Sequence, residues 1–234
     1  DRPFALVSLL AGDPSAARFM ALTEDGVAAS GFQGAQGQQA ESMAASALAK
    51  MESGLAVLPD GQTVFIEVLK PPARLVICGA GDDARPIVEA ASTVGFRVTV
   101  VDHRSAYLAK DRFPSAHSLV QARPGDALPG VPMEANTFVV IKTHGLTLDQ
   151  GWFRQCMETR VRYIGLMGPR TRRAEILKDI PAGDLERVYG PVGLDIGAEG
   201  SEQIAISIVS ELLAVNNRRA PGHLRDRQKP IHEG

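Results

Sequence analysis

From Arg74 onward, short apolar runs alternate with helical segments, and this alternation limits the fold more than any other feature of the chain. Continuous apolar strands separated by helices are typical of a parallel sheet covered on both faces. The sequence therefore predicts an α/β fold whose ligands bind beyond the C-terminal ends of the strands. We predict strands at Leu75–Cys78, Arg97–Val101, Ser118–Ala122, Phe138–Lys142, Arg162–Met167 and Val188–Val192, and helices at Asp83–Val94, Leu148–Thr159, Pro169–Lys178 and Ser201–Asn217.

The first 70 residues differ in pattern and predict a small α+β domain. Strands are expected at Phe4–Gly12, Ala17–Gly26 and Thr63–Leu69, a Gly/Gln-rich loop at Gly31–Glu41, and a helix from Glu41 to Gly54. The proline-containing segment Lys70–Arg74 follows as a stiff linker with few hydrogen-bond donors. We therefore predict two domains, residues 1–70 and 71–234.

Composition and charge argue against several classes of protein. The chain has 25 basic and 27 acidic residues, whereas nucleic acids and anionic membranes usually select basic surfaces. No apolar run approaches the ~20 residues of a membrane span, and no signal peptide is recognisable at Asp1. The two cysteines, Cys78 and Cys156, lack the spacing of a zinc site or a disulfide framework. We therefore expect a reducing compartment, the cytoplasm.

A glycine turn follows the first strand of the predicted sheet. Gly79, Gly81 and Ala84 match G-x-G-x-x-A between a strand and a helix, and Asp102 ends the next strand. In this context the pattern predicts a Rossmann-like domain, with Asp102 on a ribose hydroxyl pair and Arg104 either on a phosphate or in solvent. The alternative is that the glycines only permit the tight turn.

Two acidic residues, Asp82 and Asp83, lie where a pyrophosphate would rest in such a turn. A carboxylate in the first helical turn gains ~0.3–1 kcal/mol from the helix dipole. A phosphate ~4 Å from a carboxylate, however, costs ~4 kcal/mol at a partly screened dielectric. We therefore expect these carboxylates to organise the turn and to face another part of the ligand than a pyrophosphate; the alternative is helix capping alone.

Polar groups also follow the other predicted strands. His144 lies just past a strand, either as a hydrogen-bonding loop residue or as a proton donor. Gly168 and Arg170 begin a helix and form a predicted anion seat. Asp195 and Gly197 lie in a further glycine turn, where Asp195 either binds donor groups of a ring system or caps the loop.

The remaining polar residues indicate neither a nucleophile nor a metal cage. Arg172 and Arg173 are expected on a solvated helix face, and His223 and His232 lack metal-ligand spacing. No Ser-His-Asp or Cys-His arrangement is recognisable. Open glycine turns with polar groups and no nucleophile favour a protein that holds a large polar ligand over one that transforms it.

Taken together, these motifs resemble the XdhC/CoxI family, the accessory proteins of xanthine dehydrogenase and related molybdenum hydroxylases. The resemblance extends from Pro71 to the C-terminus and follows the family's order of motifs. It is carried by the segments PPARLVICGAGDDARPIVEAASTVGFRVTVVDHR, VVIKTHG, YIGLMGPRTRR, PVGLDIGAEGSEQIAISIVSELLAV and RQKPIHE. The paired Asp82 and Asp83 match the family's Asp-Asp after the second glycine.

The resemblance implies a cofactor chaperone. Such proteins bind molybdopterin, the organic part of the molybdenum cofactor, protect it from oxidation, and assist its sulfuration by a cysteine desulfurase. They then pass it to the apo-hydroxylase, and they are commonly homodimers. The main alternative is an NAD(P)-dependent oxidoreductase that uses Gly79, Gly81 and Asp102 with His144 as proton donor, and a third is a nucleotide-sensing regulator.

The first domain resembles the family with less fidelity. The segment AGDPSAARFMALTEDG stands where the family usually has Gly-Ser-x-Pro-Arg-x-x-Gly, and SGFQGAQGQQAE stands where it often has Gly-Gly-Cys before a glutamate. The cysteine is therefore missing from this chain, and a role of that thiol in binding sulfur or molybdenum is not expected here.

Overall fold

A computed structural model describes residues 2–10, 18–178, 180 and 185–228. The chain forms two compact units, the first comprising Asp1–Pro71 with Gln228–Gly234 and the second Pro72–Arg227. Gln228 therefore groups with the first unit rather than with the second, in which the predicted domain limits placed it. Most of the closing segment RQKPIHE and the segment of residues 11–17 lie outside the described residues, as do the predicted strand ends Gly12 and Ala17.

The first unit is a five-stranded antiparallel sheet with one helix. Its strands are β1 (Phe4–Leu9), β2 (Phe19–Thr23), β3 (Gly26–Ser30), β4 (Gly54–Val57) and β5 (Thr63–Leu69), in the order β3-β2-β1-β5-β4, and its helix is α1 (Gly34–Lys50). Alternate residues of β1 and β5 point into the core, so each strand buries one face only. Ala40 and Ala44 of α1 cover that face.

The prediction of a loop at Gly31–Glu41 was wrong, because helix α1 already begins at Gly34. The helix also ends at Lys50, before the predicted end at Gly54. Glycine costs ~1 kcal/mol in a helix relative to alanine, which is why the local sequence favours a loop. Packing opposes this preference, since Ala40 and Ala44 of the helix are buried in the core of the unit. Gly37 also fits closely, because an added Cβ there would lie only 3.3 Å from the Phe32 carbonyl oxygen. Gly54 does not end the helix but begins β4, and the edge strands β3 and β4 were missed because their residues are mostly exposed.

The second unit confirms the predicted parallel sheet of an α/β fold. Its strands are β6 (Arg74–Cys78), β7 (Arg97–Asp102), β8 (Ser118–Gln121), β9 (Thr137–Ile141), β10 (Tyr163–Leu166) and β11 (Val188–Tyr189), and every neighbouring pair is parallel in the order β11-β10-β9-β6-β7-β8. Numbered from β6, this is the 6-5-4-1-2-3 arrangement of a doubly wound dinucleotide fold. Only β11 is much shorter than predicted, since Pro191 lacks the N–H that would extend the ladder.

Helices cover both faces of this sheet. They are α2 (Arg85–Thr93), preceded by a 3₁₀ turn at Asp82–Ala84, α3 (Leu146–Met157), α4 (Arg170–Leu177) and α5 (Gly200–Asn216). One face packs Leu75 and Ile77 against α2 and α5, and the other packs Val76 and Cys78 against α3 and α4. Within the described ranges, no helix combines the length and the apolar composition that crossing a bilayer requires.

Candidate functional site

The sheet order changes direction between β6 and β9, and the turns that follow these two strands lie side by side. Gly79 has φ +118°, and an added Cβ there would lie 2.7 Å from the backbone oxygen of Lys142. Only glycine tolerates both this dihedral angle and this contact. The glycine turn is therefore built into the topological switch point, where ligands of such sheets bind.

A small cleft lies at this switch point, and we call it the switch-point cleft. Its volume is about 80 Å³, below the ~300 Å³ of a typical small-molecule pocket. It therefore accommodates part of a large ligand rather than all of it. The cleft is lined by Gly79, Val101, Asp102, His103, Arg104, Thr143, His144, Gly145, Leu148 and Trp152.

Asp102 is buried at the end of β7 and is already bonded by the protein. One carboxylate oxygen accepts the Ala80 N–H at 2.8 Å and an Arg104 Nη2–H at 3.0 Å. The other accepts the Arg104 backbone N–H at 2.9 Å and its Nε–H at 3.0 Å. Burial alone would raise the pKa of Asp102, but these hydrogen bonds and the Arg104 charge lower it to about 2.

This arrangement weighs against the ribose contact predicted for Asp102. Its side chain is only 2% exposed, and both oxygens accept hydrogen bonds from within the protein. Arg104, whose guanidinium carbon lies 3.7 Å from the Tyr107 ring centroid, is likewise directed at Asp102 rather than fully at solvent. A ribose would have to break these bonds to gain its own.

The two adjacent acids of the glycine turn have separate partners. Asp82 is largely exposed and pairs with Arg112 at 2.9 Å. Arg112 also donates to the backbone oxygens of Ala80 and Tyr107, so this ion pair fastens the turn to the loop after β7. Asp83 instead faces inward, with one oxygen 2.7 Å from Nζ of Lys142.

Lys142 is a site residue that the sequence prediction missed. Its side chain is 1% exposed, although it carries an ammonium group at the end of β9. An added Cβ at Gly81 would lie 2.6 Å from Asp83 Oδ1, 3.4 Å from His144 Nε2 and 3.6 Å from Lys142 Nζ. These three side chains therefore surround the glycine turn. The available signal was a lysine at the C-terminal end of an otherwise apolar parallel strand.

A second buried charge supports the turn after β9. Asp149 is fully buried and accepts hydrogen bonds from the backbone N–H and the hydroxyl of Thr143. Its other oxygen lies 2.6 Å from Nη2 of Arg172. The solvated position predicted for Arg172 is therefore wrong, because a fully buried carboxylate requires a counter-ion.

Arg173 also departs from the solvated position predicted for it. Its Nε is buried and has no hydrogen-bond partner among the described residues, and its stem packs against Gly190. Half-buried arginine stems of this kind cover apolar and backbone surface.

The turns after β10 and β11 are open. Gly168 (φ +117°) and Gly197 (φ +69°) adopt left-handed conformations, as expected of turn glycines. Arg170 and Asp195 are exposed, and no ion pair or hydrogen bond of their side chains is found within the described residues. Gly79, Asp102, Arg104 and His144 line the switch-point cleft, whereas these four residues do not.

Neither cysteine is placed for thiol chemistry. Cys78 at the end of β6 and Cys156 on α3 are buried in the same core cluster. Burial raises the pKa of the Cys78 thiol well above its usual range and that of Cys156 to about 12. In the part of the chain that the structure describes, no three His, Cys, Asp or Glu side chains cluster as metal ligands.

The strand order and the glycine turn at the switch point define a Rossmann domain of the dinucleotide-binding class. A model of the XdhC Rossmann domain matches residues 75–212, more than half of the chain. The chain therefore belongs to the XdhC/CoxI family, as its motifs predicted.

Known proteins extend this similarity beyond the family model. A probable xanthine dehydrogenase subunit of Bacillus subtilis is 36% identical over 159 residues, covering 67% of this chain and 47% of that protein. The uncharacterized protein YqeB of Escherichia coli is 33% identical over 176 residues, covering 73% and 32%. This chain thus spans less than half the length of either relative. A crystal structure of a xanthine dehydrogenase from Bacillus halodurans superposes with a TM-score of 0.74 at 29% identity, covering 94% of this chain and 61% of that one.

Proposed function

We propose that this protein is an accessory factor of a xanthine dehydrogenase-type molybdenum hydroxylase, which binds the molybdenum cofactor and delivers it to the apo-enzyme. Family membership supports the accessory role, and one relative is named as a probable xanthine dehydrogenase subunit. One observation favours a carrier over a dehydrogenase. The carboxylate that an NAD site would use for its ribose, Asp102, is already held by Arg104 and by backbone N–H groups.

The open residues of the sheet edge fit the chemistry of a phosphorylated pterin. Arg170 offers an exposed guanidinium to an anionic group, and Asp195 offers acceptors to the amino and ring N–H groups of a pterin. Gly168 and Gly197 lie in the same two turns, and because they have no side chain they leave the backbone of each turn accessible. His144 would contact the ligand from the turn after β9, whereas Asp82 supports the glycine turn through its ion pair with Arg112.

The proposed partners follow from the same role. The apo-hydroxylase receives the cofactor, a cysteine desulfurase supplies its terminal sulfur, and the carrier acts as a homodimer. The sulfur does not travel on this chain's own cysteines, because both Cys78 and Cys156 are buried and their thiols have raised pKa values. A resident thiol carrier would need an exposed cysteine of low pKa.

The test is equilibrium binding of molybdopterin released anaerobically from a molybdenum hydroxylase. The purified protein should retain the cofactor, as measured by absorbance and molybdenum content after gel filtration, and should not oxidise NADH. An absence of retention together with robust NADH oxidation in the presence of a small carbonyl substrate would establish the oxidoreductase instead.

A further inference from the structure

The two side chains of the ion pair between Asp83 and Lys142 differ in their freedom to move. The Lys142 side chain is 1% exposed and is fixed at the end of β9, whereas the Asp83 side chain is 35% exposed and lies on a turn. Rotation about the Asp83 side-chain bonds can bring its carboxylate into water, but the ammonium cannot follow. The acid is therefore the exchangeable partner and the lysine the fixed one.

A buried ammonium requires an anion beside it. Removing one partner of a buried ion pair is strongly destabilising because the other charge remains without compensation. If Asp83 moves away from Lys142, the folded protein is therefore stabilised by another anion that binds at the same place. That place is next to Gly81, which has no side chain. A Cβ added there would lie 3.6 Å from the Lys142 nitrogen, 3.4 Å from Nε2 of His144 and only 2.6 Å from Asp83 Oδ1, so the space is filled until Asp83 moves.

We propose that Lys142 is the phosphate-binding residue of this protein and that Asp83 is an internal substitute for the phosphate, displaced when a phosphate monoester enters. A monoester carries a charge of about −1.5 to −2 near neutral pH, which exceeds that of the single carboxylate it replaces. A pyrophosphate diester carries about one charge per phosphate, and its ribose would still meet the engaged Asp102. The site therefore selects a terminal phosphate over a dinucleotide.

This inference deepens the proposed function, since molybdopterin ends in a phosphate monoester, but its first test needs only inorganic phosphate. Binding is measured by isothermal titration at low ionic strength. Asp83→Asn retains the size of the side chain and removes its charge, so it should bind phosphate about tenfold more tightly than the wild type. Asp83→Asn combined with Lys142→Met should abolish that gain.

Asp82→Asn is the matched control, because it removes the same charge from the same turn without touching Lys142. Its effect should stay within about twofold, since an exposed charge is well screened. Circular dichroism and thermal unfolding check that each variant is folded. If Asp83→Asn binds phosphate no better than Asp82→Asn, or if the gain survives the loss of Lys142, the inference is wrong.

A second arm repeats the comparison with molybdopterin and identifies the source of the phosphate. Retention by Asp83→Asn that falls about tenfold in the double variant assigns the site to the pterin phosphate. An unchanged retention, with the inorganic phosphate pattern intact, assigns the site to free phosphate. If no form retains molybdopterin while the phosphate pattern holds, the proposed function fails and this inference stands.

Discussion

Charged side chains at one end of the sheet edge are neutralised within the protein, whereas those at the other end are left open. After β6, β7 and β9, the acids Asp83, Asp102 and Asp149 are held by Lys142, Arg104 and Arg172. After β10 and β11, Arg170 and Asp195 are exposed without such partners among the described residues.

The difference separates two roles for charge at the same edge. A charge that is paired and buried contributes to folding, because its removal leaves the partner uncompensated. A charge that is exposed and unpaired contributes little to folding and remains available to a ligand. Substitutions in the first group should therefore change the free energy of unfolding, and those in the second should change ligand retention. The pair of Asp83 and Lys142 should affect both, because its carboxylate is exchangeable.

The sharpest comparison is between Arg172 and Arg170, which lie two residues apart on α4. Arg172→Ala should lower the free energy of unfolding by about 3–5 kcal/mol, because Asp149 would remain as an unpaired buried charge. Trp152 is the only tryptophan of the chain and lies on the same helix as Asp149, so its fluorescence in urea reports this unit. A loss below about 1 kcal/mol, as for an exposed ion pair, would contradict the buried role of the pair.

Asp102→Asn should have the next largest effect and lower the free energy of unfolding by about 2 kcal/mol near neutral pH. This value follows because the folded protein lowers the pKa of Asp102 from 3.8 to about 2. The folded-state pKa is lowered, so this stabilisation is present above pH ~4 and is lost as the pH falls from ~4 through ~2. Urea midpoints across that range should decline less steeply for the variant than for the wild type. Parallel declines would mean that the pKa of Asp102 is not lowered in the folded protein.

The sequence predicted the parts of this edge that depend on local pattern. Apolar runs located all six parallel strands, and the glycines with Asp102 indicated the Rossmann-like glycine turn after β6. The buried charges were missed because each depends on a partner far along the chain: Lys142 lies 59 positions from Asp83 and Arg172 lies 23 from Asp149. Sequence motifs with fixed short spacing cannot reveal such pairs. Lys142, for example, is buried because the glycine turn after β6 places Asp83 beside it.

In the first unit, the sequence analysis missed secondary structure rather than side-chain pairs. Its Gln-rich segment has weak local preferences, and the packing of Ala40 and Ala44 on the sheet determines that it is helical. Its edge strands β3 and β4 have only five and four residues and each begins with glycine, so no run of strand-forming residues of the length of β1 or β5 marked them. Elements that are stabilised mainly by tertiary contacts are the ones that a single sequence conceals.

Arg170→Ala should leave the free energy of unfolding within about 0.5 kcal/mol of the wild type, as expected of an exposed side chain. Retention of molybdopterin should nevertheless fall about tenfold, or about 1.5 kcal/mol, from the loss of one charged hydrogen bond. Arg170→Lys, which keeps the charge but not the planar fork, should recover part of this loss. Full retention by Arg170→Ala with an intact fold would place Arg170 on a merely solvated surface.

The smallest effect is expected from thiol reagents, which test whether Cys78 or Cys156 can react in the folded protein. With a pKa of about 12, roughly one Cys156 thiol in 10,000 is ionised at pH 8. Burial suppresses ionisation of Cys78 in the same direction. Iodoacetamide at pH 8 should therefore leave both cysteines of the folded protein unmodified over an hour, whereas the urea-unfolded chain should take up two equivalents, counted by intact mass. Rapid labelling of the folded protein would show that a thiol reaches solvent, and sulfur transfer through this chain would then have to be considered alongside binding of the cofactor at the open turns.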